Sequence, residues 1–305
     1  MHVPSSIAPI VHLNGALVPA EQAAISVFDR GFLVADGVFE TFYATRGAPI
    51  ELDRHLARLA RSAAWLRMHR TPPVEVLAAA LEAVLAANGL ADPAHGPEVA
   101  LRLTVSRGAE IDGPATVVVF ARALSPGHLR KRVDGVLGFV LPHGRAGLSP
   151  ELAQHKTLAY LASALGQILL SELTPDPRAE GFFADADGTL LEGTSSNLFV
   201  VEGARIVTPP VSAGLLPGTS RAEVLELAAT CGLVADEEPL PPARVLAADE
   251  AFITSSTLRV APLVALDGAP VGGGRRGPAV IALQEAFQRR VDEQVLRYHA
   301  ARSKA

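Results

Sequence analysis

The sequence predicts an α+β protein in two halves, and three observations carry that expectation. Strand-like and helix-like segments alternate irregularly along all 305 residues, 49% of them hydrophobic. The most apolar stretch, residues 158–173, is broken by Ser163, Gly166, Gln167 and Ser171. It falls short of the roughly 20 apolar residues that a membrane span needs. A turn-forming cluster, Leu124-Ser125-Pro126-Gly127, interrupts the pattern near the middle of the chain. The expected organisation is therefore an N-terminal domain over 1–123, a linker over 124–134 and a C-terminal domain over 135–305.

Each element has a local reason. Val11-His12-Leu13 and Ala16-Leu17-Val18 flank Asn14-Gly15, a pair that supplies the positive φ angles of a tight hairpin. Residues 38–45 alternate apolar and polar β-formers and return through Arg46-Gly47 to Pro49-Ile50. Leu52, Leu56, Leu59, Ala63 and Leu66 recur at helical spacing and predict an amphipathic helix. A second helix covers 74–88 and stops at Gly89. Strands follow at 99–105 and 116–121. Beyond the linker, a strand at 136–141 precedes a helix over 157–173. Short strands at 182–184, 189–191, 198–201 and 206–207 are spaced by turns such as Asp187-Gly188 and Glu202-Gly203. A helix over 221–229, a strand over 250–256 and a terminal helix over 278–298 complete the chain.

Composition removes several functional classes. A net charge of −5 without long charged runs gives no basic footprint for nucleic acid. The single cysteine, Cys231, cannot form an internal disulfide, and no basic segment followed by a long apolar run opens the chain. A cytoplasmic protein without membrane association is expected. The nine histidines show no ligand-type pairing with cysteine or carboxylate, so no metal site is expected. No phosphate-binding or dinucleotide glycine pattern follows a strand, and no serine-hydrolase elbow is present.

Lysine usage is the sharpest compositional fact. Only three of the 27 basic residues are lysine: Lys131, Lys156 and Lys304. A lysine retained among so many arginines points to chemistry that only a primary amine performs, above all Schiff-base formation. Lys131 lies in the run Leu129-Arg130-Lys131-Arg132 and Lys304 near the C-terminus, and both read as solvated surface. Lys156 stands before an apolar helical pattern, where it is either a catalytic amine or a helix-entry charge.

Four polar islands interrupt the apolar chain, each open to two readings. In the first, His55 and Arg58 share a helix face, either to fork onto a phosphate or as a solvated surface. The second is His155-Lys156-Thr157, with Tyr160 one helical turn on, aimed at what the lysine holds or packed in a helix–sheet interface. The third, Glu192-Gly193-Thr194-Ser195-Ser196-Asn197, is a ligand-approaching loop or a solvated hairpin. The fourth, Gly214-Leu215-Leu216-Pro217-Gly218-Thr219-Ser220-Arg221, opens a helix as an anion site or a plain cap. Phe252-Ile253-Thr254-Ser255-Ser256-Thr257 ends a strand with further hydroxyl donors.

Taken in order, these stretches resemble the class IV aminotransferase family, fold type IV of the pyridoxal phosphate enzymes. That family includes branched-chain and D-amino acid aminotransferases and 4-amino-4-deoxychorismate lyases. The matching stretches begin with Asp36-Gly37-Val38-Phe39-Glu40-Thr41, His55-Leu56-Ala57-Arg58-Leu59 and Arg102-Leu103-Thr104-Val105-Ser106-Arg107-Gly108. They continue through Lys156-Thr157-Leu158-Ala159-Tyr160, Glu192 to Asn197, Leu216 to Arg221 and Ser255-Ser256-Thr257, spanning nearly the whole chain.

The resemblance implies a smaller N-terminal α/β domain and a larger C-terminal domain with a mixed, barrel-like sheet, the cofactor pyridoxal 5′-phosphate lying between them. It implies a Schiff base on Lys156, which then shuttles the substrate α-proton. Glu192 pairs with the pyridine nitrogen and Tyr160 with the ring hydroxyl. Arg58, Thr219, Ser220 and Ser256 hold the phosphate, and Leu216 packs on the ring. Two departures stand out. Ala159 replaces a frequent Asn, and the loop Ala109-Glu110-Ile111-Asp112-Gly113-Pro114 lacks the Arg that relatives use to hold the substrate carboxylate. Arg102 is the substitute anchor, with Arg46 and Arg145 as further choices. Phe39 and Thr257 complete the substrate-binding set. The implied reaction is transamination between an amino acid, D- or branched-chain, and a 2-oxo acid, with a lyase that releases pyruvate and 4-aminobenzoate as the alternative. A homodimer is expected by the same analogy.

Overall fold

The computed structural model describes residues 3–142 and 149–303, so Arg145 and Lys304 lie outside the described residues. The chain divides into two compact units. The first takes Met1–Leu124, His155–Ala159 and Val291–Ala305, and the second takes Ser125–Gln154 and Tyr160–Arg290.

The first unit opens with β1 (Ile10–Leu13) and β2 (Ala16–Pro19). Asn14 and Gly15 join them at φ 49° and 91°, the turn that their side chains favour. A short helix, α1 (Arg30–Val34), leads into β3 (Gly37–Thr45) and β4 (Ala48–Pro49). Helices α2 (Leu52–Trp65) and α3 (Val74–Ala87) precede β5 (Val99–Ser106) and β6 (Thr116–Ala123). These strands form one six-stranded sheet, ordered β2-β1-β6-β5-β3-β4, with every pairing antiparallel. Val38, Phe42, Leu101 and Leu103 pack in one core with Leu59 and Leu81 of the two helices.

The second unit begins with α4 (Pro126–Asp134), so most of the expected linker is a helix, capped by the Ser125 hydroxyl accepting from His128 N–H. It continues with β7 (Val136–Val140), α5 (Pro150–Ala153), α6 (Leu161–Leu173), β8 (Ala179–Ala184) and β9 (Leu190–Gly193). Then come β10 (Asn197–Glu202), β11 (Arg205–Thr208), α7 (Thr219–Leu227), β12 (Val234–Glu237) and α8 (Pro242–Ala247). Strands β13 (Glu250–Ser255), β14 (Arg259–Leu266) and β15 (Ala269–Pro270) lead to α9 (Pro278–Arg302), whose residues from Val291 onward belong to the first unit. The nine-stranded sheet runs β12-β11-β10-β13-β14-β7-β8-β9, with β15 on β14. Its β11–β12, β14–β7 and β7–β8 pairs are parallel and the rest antiparallel, a mixed sheet as expected. The chain passes from β9, the last strand of that order, directly into β10, its third, so the sheet must curl. Phe182, Leu190, Leu198, Ile253 and Leu263 share the core that results.

The structure refines three local expectations. The helix expected over 157–173 starts only at Leu161, because residues 156–158 satisfy their backbone groups on β3 instead. The strand expected over 38–45 forms, and although its residues alternate in polarity, eight of the nine residues of β3 are buried. His55 and Arg58 are buried, not a solvated face: both meet Glu40, which β3 turns toward α2. Arg58 Nε and Nη2 donate to the two Glu40 oxygens at 2.7 Å each, and His55 Nδ1 lies 2.7 Å from Oε2.

Burial works to push the Glu40 carboxyl up, but the charges and hydrogen bonds of Arg58 and His55 prevail and hold it well below the ordinary range. Burial also pushes His55 down, against the pull of Glu40. Breaking the pair leaves a buried guanidinium uncompensated, so Glu40→Gln should destabilise the protein by about 3–5 kcal/mol in denaturant unfolding. A depressed carboxyl contributes its full stability above its ordinary value of 4.5 and loses it as pH falls further. The lowered His55 takes up its proton less readily in the fold than in the unfolded chain, so its contribution is lost as pH falls below about 6.5. Stability measured between pH 8 and 4 should be lower at the acidic end, and a wild-type curve that rises there would contradict this assignment.

Candidate active site

Lys156 is delivered to the first unit's sheet by a strand-like graft. Phe39 N–H donates to the Lys156 carbonyl at 3.0 Å, and Leu158 N–H to the Gly37 carbonyl at 2.9 Å. Thr157 thereby bridges Val38 in antiparallel sense. Gly37 makes the fit possible, since a Cβ there would stand 2.7 Å from the Leu158 side chain and 2.6 Å from the Val105 carbonyl. Helix α2 fixes the other side. Its buried Ser62 hydroxyl accepts from Lys156 N–H at 3.2 Å, and Trp65 stacks on the His155 ring at 4.6 Å between centroids.

Phe39 gathers the charges. Lys156 Nζ lies 4.6 Å from its ring centroid, and the Arg102 guanidinium carbon 3.6 Å. Register explains the second contact: Thr41 faces Arg102 and Phe39 faces Thr104, so Arg102 sits diagonally beside Phe39 on one face of the sheet. The Arg102 Nε also donates to the Thr104 hydroxyl at 3.3 Å. Both cations lie within cation–π range of the same buried ring. Glu40, the next residue along β3, meets Arg58 of α2. Arg46 is not brought to this place. It sits in the turn after β3, at the other end of that strand from Phe39, paired with Asp292 and accepting from His299 Nε2 through its carbonyl.

The second unit holds a buried carboxylate, Glu192, at the end of β9. Leu216 N–H lies 3.2 Å from both carboxylate oxygens, and Asn197 Nδ2 donates to Oε2 at 3.2 Å and to the Leu216 carbonyl at 3.0 Å. Asn197 thus ties three chain segments to one carboxylate. Gly218 is required beside it, because a Cβ there would stand 2.1 Å from Asn197 Oδ1. Thr219 and Ser220, both buried, open α7, whose Gly218 N-cap brings no capping side chain. A helix start of this kind turns the positive end of its dipole toward an incoming anion.

Tyr160 stands just before α6 and donates to the Thr194 carbonyl at 2.9 Å, while Gln167 bonds the Thr194 hydroxyl. Ser256 and Thr257 form the turn between β13 and β14. The Thr257 hydroxyl lies 3.0 Å from His128 Nε2, and its carbonyl accepts from Arg132 at 2.7 Å. Glu40, Ser62, Asn197, Thr194 and Gln167 are residues to which no role was given from sequence; Glu40 and Asn197 at least stand inside stretches that the sequence singled out. Lys131 is half-buried, not solvated surface. Burial pushes its ammonium down, against attraction to Glu180 and Asp176. Among the described residues, no group of three or more His, Cys, Asp or Glu is placed to hold a metal ion, and no helix is long and apolar enough to cross a membrane.

Comparison with known proteins agrees with this geometry. The profile of the family described as Amino-transferase class IV matches residues 37–266. The aminodeoxychorismate lyase of Bacillus subtilis (strain 168) is 30% identical over 293 residues, covering 94% of this chain and 96% of that protein. A putative branched-chain-amino-acid aminotransferase of Methanocaldococcus jannaschii is 31% identical over 285 residues, covering 91% of this chain and 95% of its own. Among solved structures, the branched-chain aminotransferase of the thermophilic archaeon Thermoproteus uzoniensis superposes with a TM-score of 0.81 at 26% identity, over 92% of this chain and 94% of the other. The family match spans Phe39, Lys156, Glu192 and the α7 helix start together, and this chain belongs to the class IV aminotransferases.

Proposed function

We propose that the chain is an aminotransferase that moves an amino group between an amino acid, D- or branched-chain, and a 2-oxo acid, with Lys156 as its reacting amine. The observation that carries this reading is the Phe39 ring with Lys156 Nζ and the Arg102 guanidinium both against it. Transamination needs that pair of functions: an amine for the carbonyl chemistry and a cation for the substrate carboxylate.

The family's cofactor is pyridoxal 5′-phosphate. The donor set here fits it: a primary amine, a buried carboxylate suited to a ring nitrogen, and a hydroxyl-bearing helix start suited to a phosphate. When bound, it supplies an electron sink for the substrate α-carbon. In this reading Lys156 attaches it through Nζ and afterwards moves the α-proton. Glu192, its oxygens already engaged by Leu216 N–H and Asn197, holds a proton at the pyridine nitrogen. Tyr160 serves the ring hydroxyl and Leu216 the ring face. Thr219, Ser220 and Ser256 take the phosphate. Arg58, anchored by Glu40 through Nε and Nη2, joins them. Arg102 takes the substrate carboxylate, with Phe39 and Thr257 bordering the substrate. Arg46, engaged by Asp292, is left out of the set.

A lyase that releases pyruvate and 4-aminobenzoate is the second reading, favoured by the Bacillus subtilis relative. A cytoplasmic location is part of the same proposal, and the free Cys231 is its support. A homodimer is supported by apolar side chains left in water: Val27, Phe28, Phe32, Leu33 and Val34 in the first unit, and Leu161, Leu165, Ile168 and Leu173 on α6 in the second.

The deciding experiment follows the visible absorbance of cofactor-loaded protein while D- and L-alanine, glutamate and leucine are added singly. Loss of the band with one of them, restored by a 2-oxo acid, is the expected result. No response to any amino acid, together with pyruvate release from aminodeoxychorismate, selects the lyase. Lys156→Ala should cut turnover by about 10³-fold or more while non-covalent cofactor binding survives; wild-type turnover in that variant overturns the assignment. Replacing Phe28 and Phe32 together by Ser should shift the mass in light scattering from dimer to monomer, and an unchanged dimer mass would remove these residues from the interface.

A further inference from the structure

The loop between Glu192 and Asn197 rests on a buried carboxyl that the site described above does not use. Glu180, on β8, is 5% exposed. Its Oε1 accepts from the Ser196 hydroxyl at 2.8 Å and from Ser195 N–H at 3.4 Å. The loop backbone closes over it: Thr194 N–H donates to the Gly181 carbonyl at 2.9 Å, and Gly193 N–H to the Ser196 carbonyl at 2.8 Å. Gly193 has no room for a side chain, since a Cβ would stand 2.1 Å from Ser196 Oγ and 2.5 Å from Glu180 Oε1. Glycine at this position is the condition for Glu180 to reach the loop at all.

In the functional reading above, that loop bears the carboxylate assigned to the ring nitrogen and holds the phenol assigned to the ring hydroxyl. Glu192 is its entry and Asn197, which donates to Glu192, its exit. Thr194, in between, receives the Tyr160 hydroxyl and the Gln167 amide. Resting on the function proposed above, we infer that Glu180 is a positioning residue: through Ser195 and Ser196 it fixes the loop that orients Glu192 toward the pyridine nitrogen and Tyr160 toward the ring hydroxyl.

The chemistry of the carboxyl agrees with an anchoring role. Burial pushes Glu180 up, while Ser196, the Lys131 ammonium, the Ser195 N–H and the Thr194 hydroxyl pull it back without cancelling the rise. Lys131, itself pushed down by burial, faces the same carboxyl, which accounts for a lysine held half-buried on α4. What the loop requires of residue 180 is a fixed acceptor in a dry place. A glutamine amide oxygen supplies that acceptor, whereas a methyl group does not.

The test compares Glu180→Ala, Glu180→Gln and Ser196→Ala with wild type, reading the pyridoxal phosphate dissociation constant by absorbance titration and the circular dichroism induced in the bound cofactor. Unfolding temperature is followed in parallel. Glu180→Ala should weaken cofactor binding about tenfold or more and change the sign or amplitude of the induced signal. Glu180→Gln should restore both to within about threefold of wild type, and Ser196→Ala should fall between. A folded Glu180→Ala protein with wild-type affinity and induced signal would overturn the inference. If Glu180→Ala does not fold, Ser196→Ala decides: an unchanged induced signal overturns the inference and an altered one supports it. Wild-type protein that takes up no pyridoxal phosphate would instead overturn the functional reading on which the inference rests.

Discussion

The hydrogen bond from Phe39 N–H to the Lys156 carbonyl is the constraint around which the first unit's chemistry is arranged. It converts residues 156–158 from the start of a helix into an added strand, and in doing so fixes where one amine stands. Neighbouring residues hold it from two sides: Ser62 and Trp65 of α2 secure the backbone and the preceding His155, while Gly37 lets Leu158 approach β3 closely. A lysine side chain has four rotatable bonds, and a loop would add backbone freedom to them. Grafting the segment onto a buried strand removes the second source of freedom.

The second unit solves a similar problem with close approaches in place of a graft. Gly193 and Gly218 are both positions where a Cβ would collide with a polar side chain, Ser196 in one case and Asn197 in the other. Each collision partner belongs to the network that orients Glu192 or the loop following it. The glycines therefore add no flexibility here; they admit polar groups where van der Waals space would otherwise exclude them. In the first unit the buried Glu40, Arg58 and His55 cluster uses charge to tie α2 to the sheet, which keeps Ser62 and Trp65 on the same helix in place behind Lys156.

Much of this was legible in the residues. Asn14-Gly15 announced its hairpin, and the leucine spacing of 52–66 announced α2, because local backbone preference and burial point the same way there. The rarity of lysine singled out Lys156 before any fold was known. What escaped was set by tertiary context. Residues 157–160 have helix-compatible side chains, and only the nearby edge of β3 draws the start of that segment into a strand pairing. Strand β14 was not anticipated, since Pro262 breaks its pattern, yet it lies between β13 and β7 in the sheet. Lys131 read as surface because its neighbours are charged, and only the position of Glu180 on a distant strand gives it a buried partner. Glu40 and Glu180 could not be told from solvated glutamates, since a buried carboxyl is recognised by its partners and those are remote in sequence.

The composition of the first unit has a consequence for how the chain is made. Its sheet is built from the first 124 residues, but the unit is completed by Val291–Ala305. Gln294 accepts from Glu51 N–H, Tyr298 bonds Glu82, and Asp292 pairs with Arg46. As synthesis proceeds from the N-terminus, those partners emerge only after the whole second unit. The early sheet must therefore wait for these partners while the whole second unit is translated, and the emergence of residues 291 onward, not of the N-terminal half, is the event that completes the first unit.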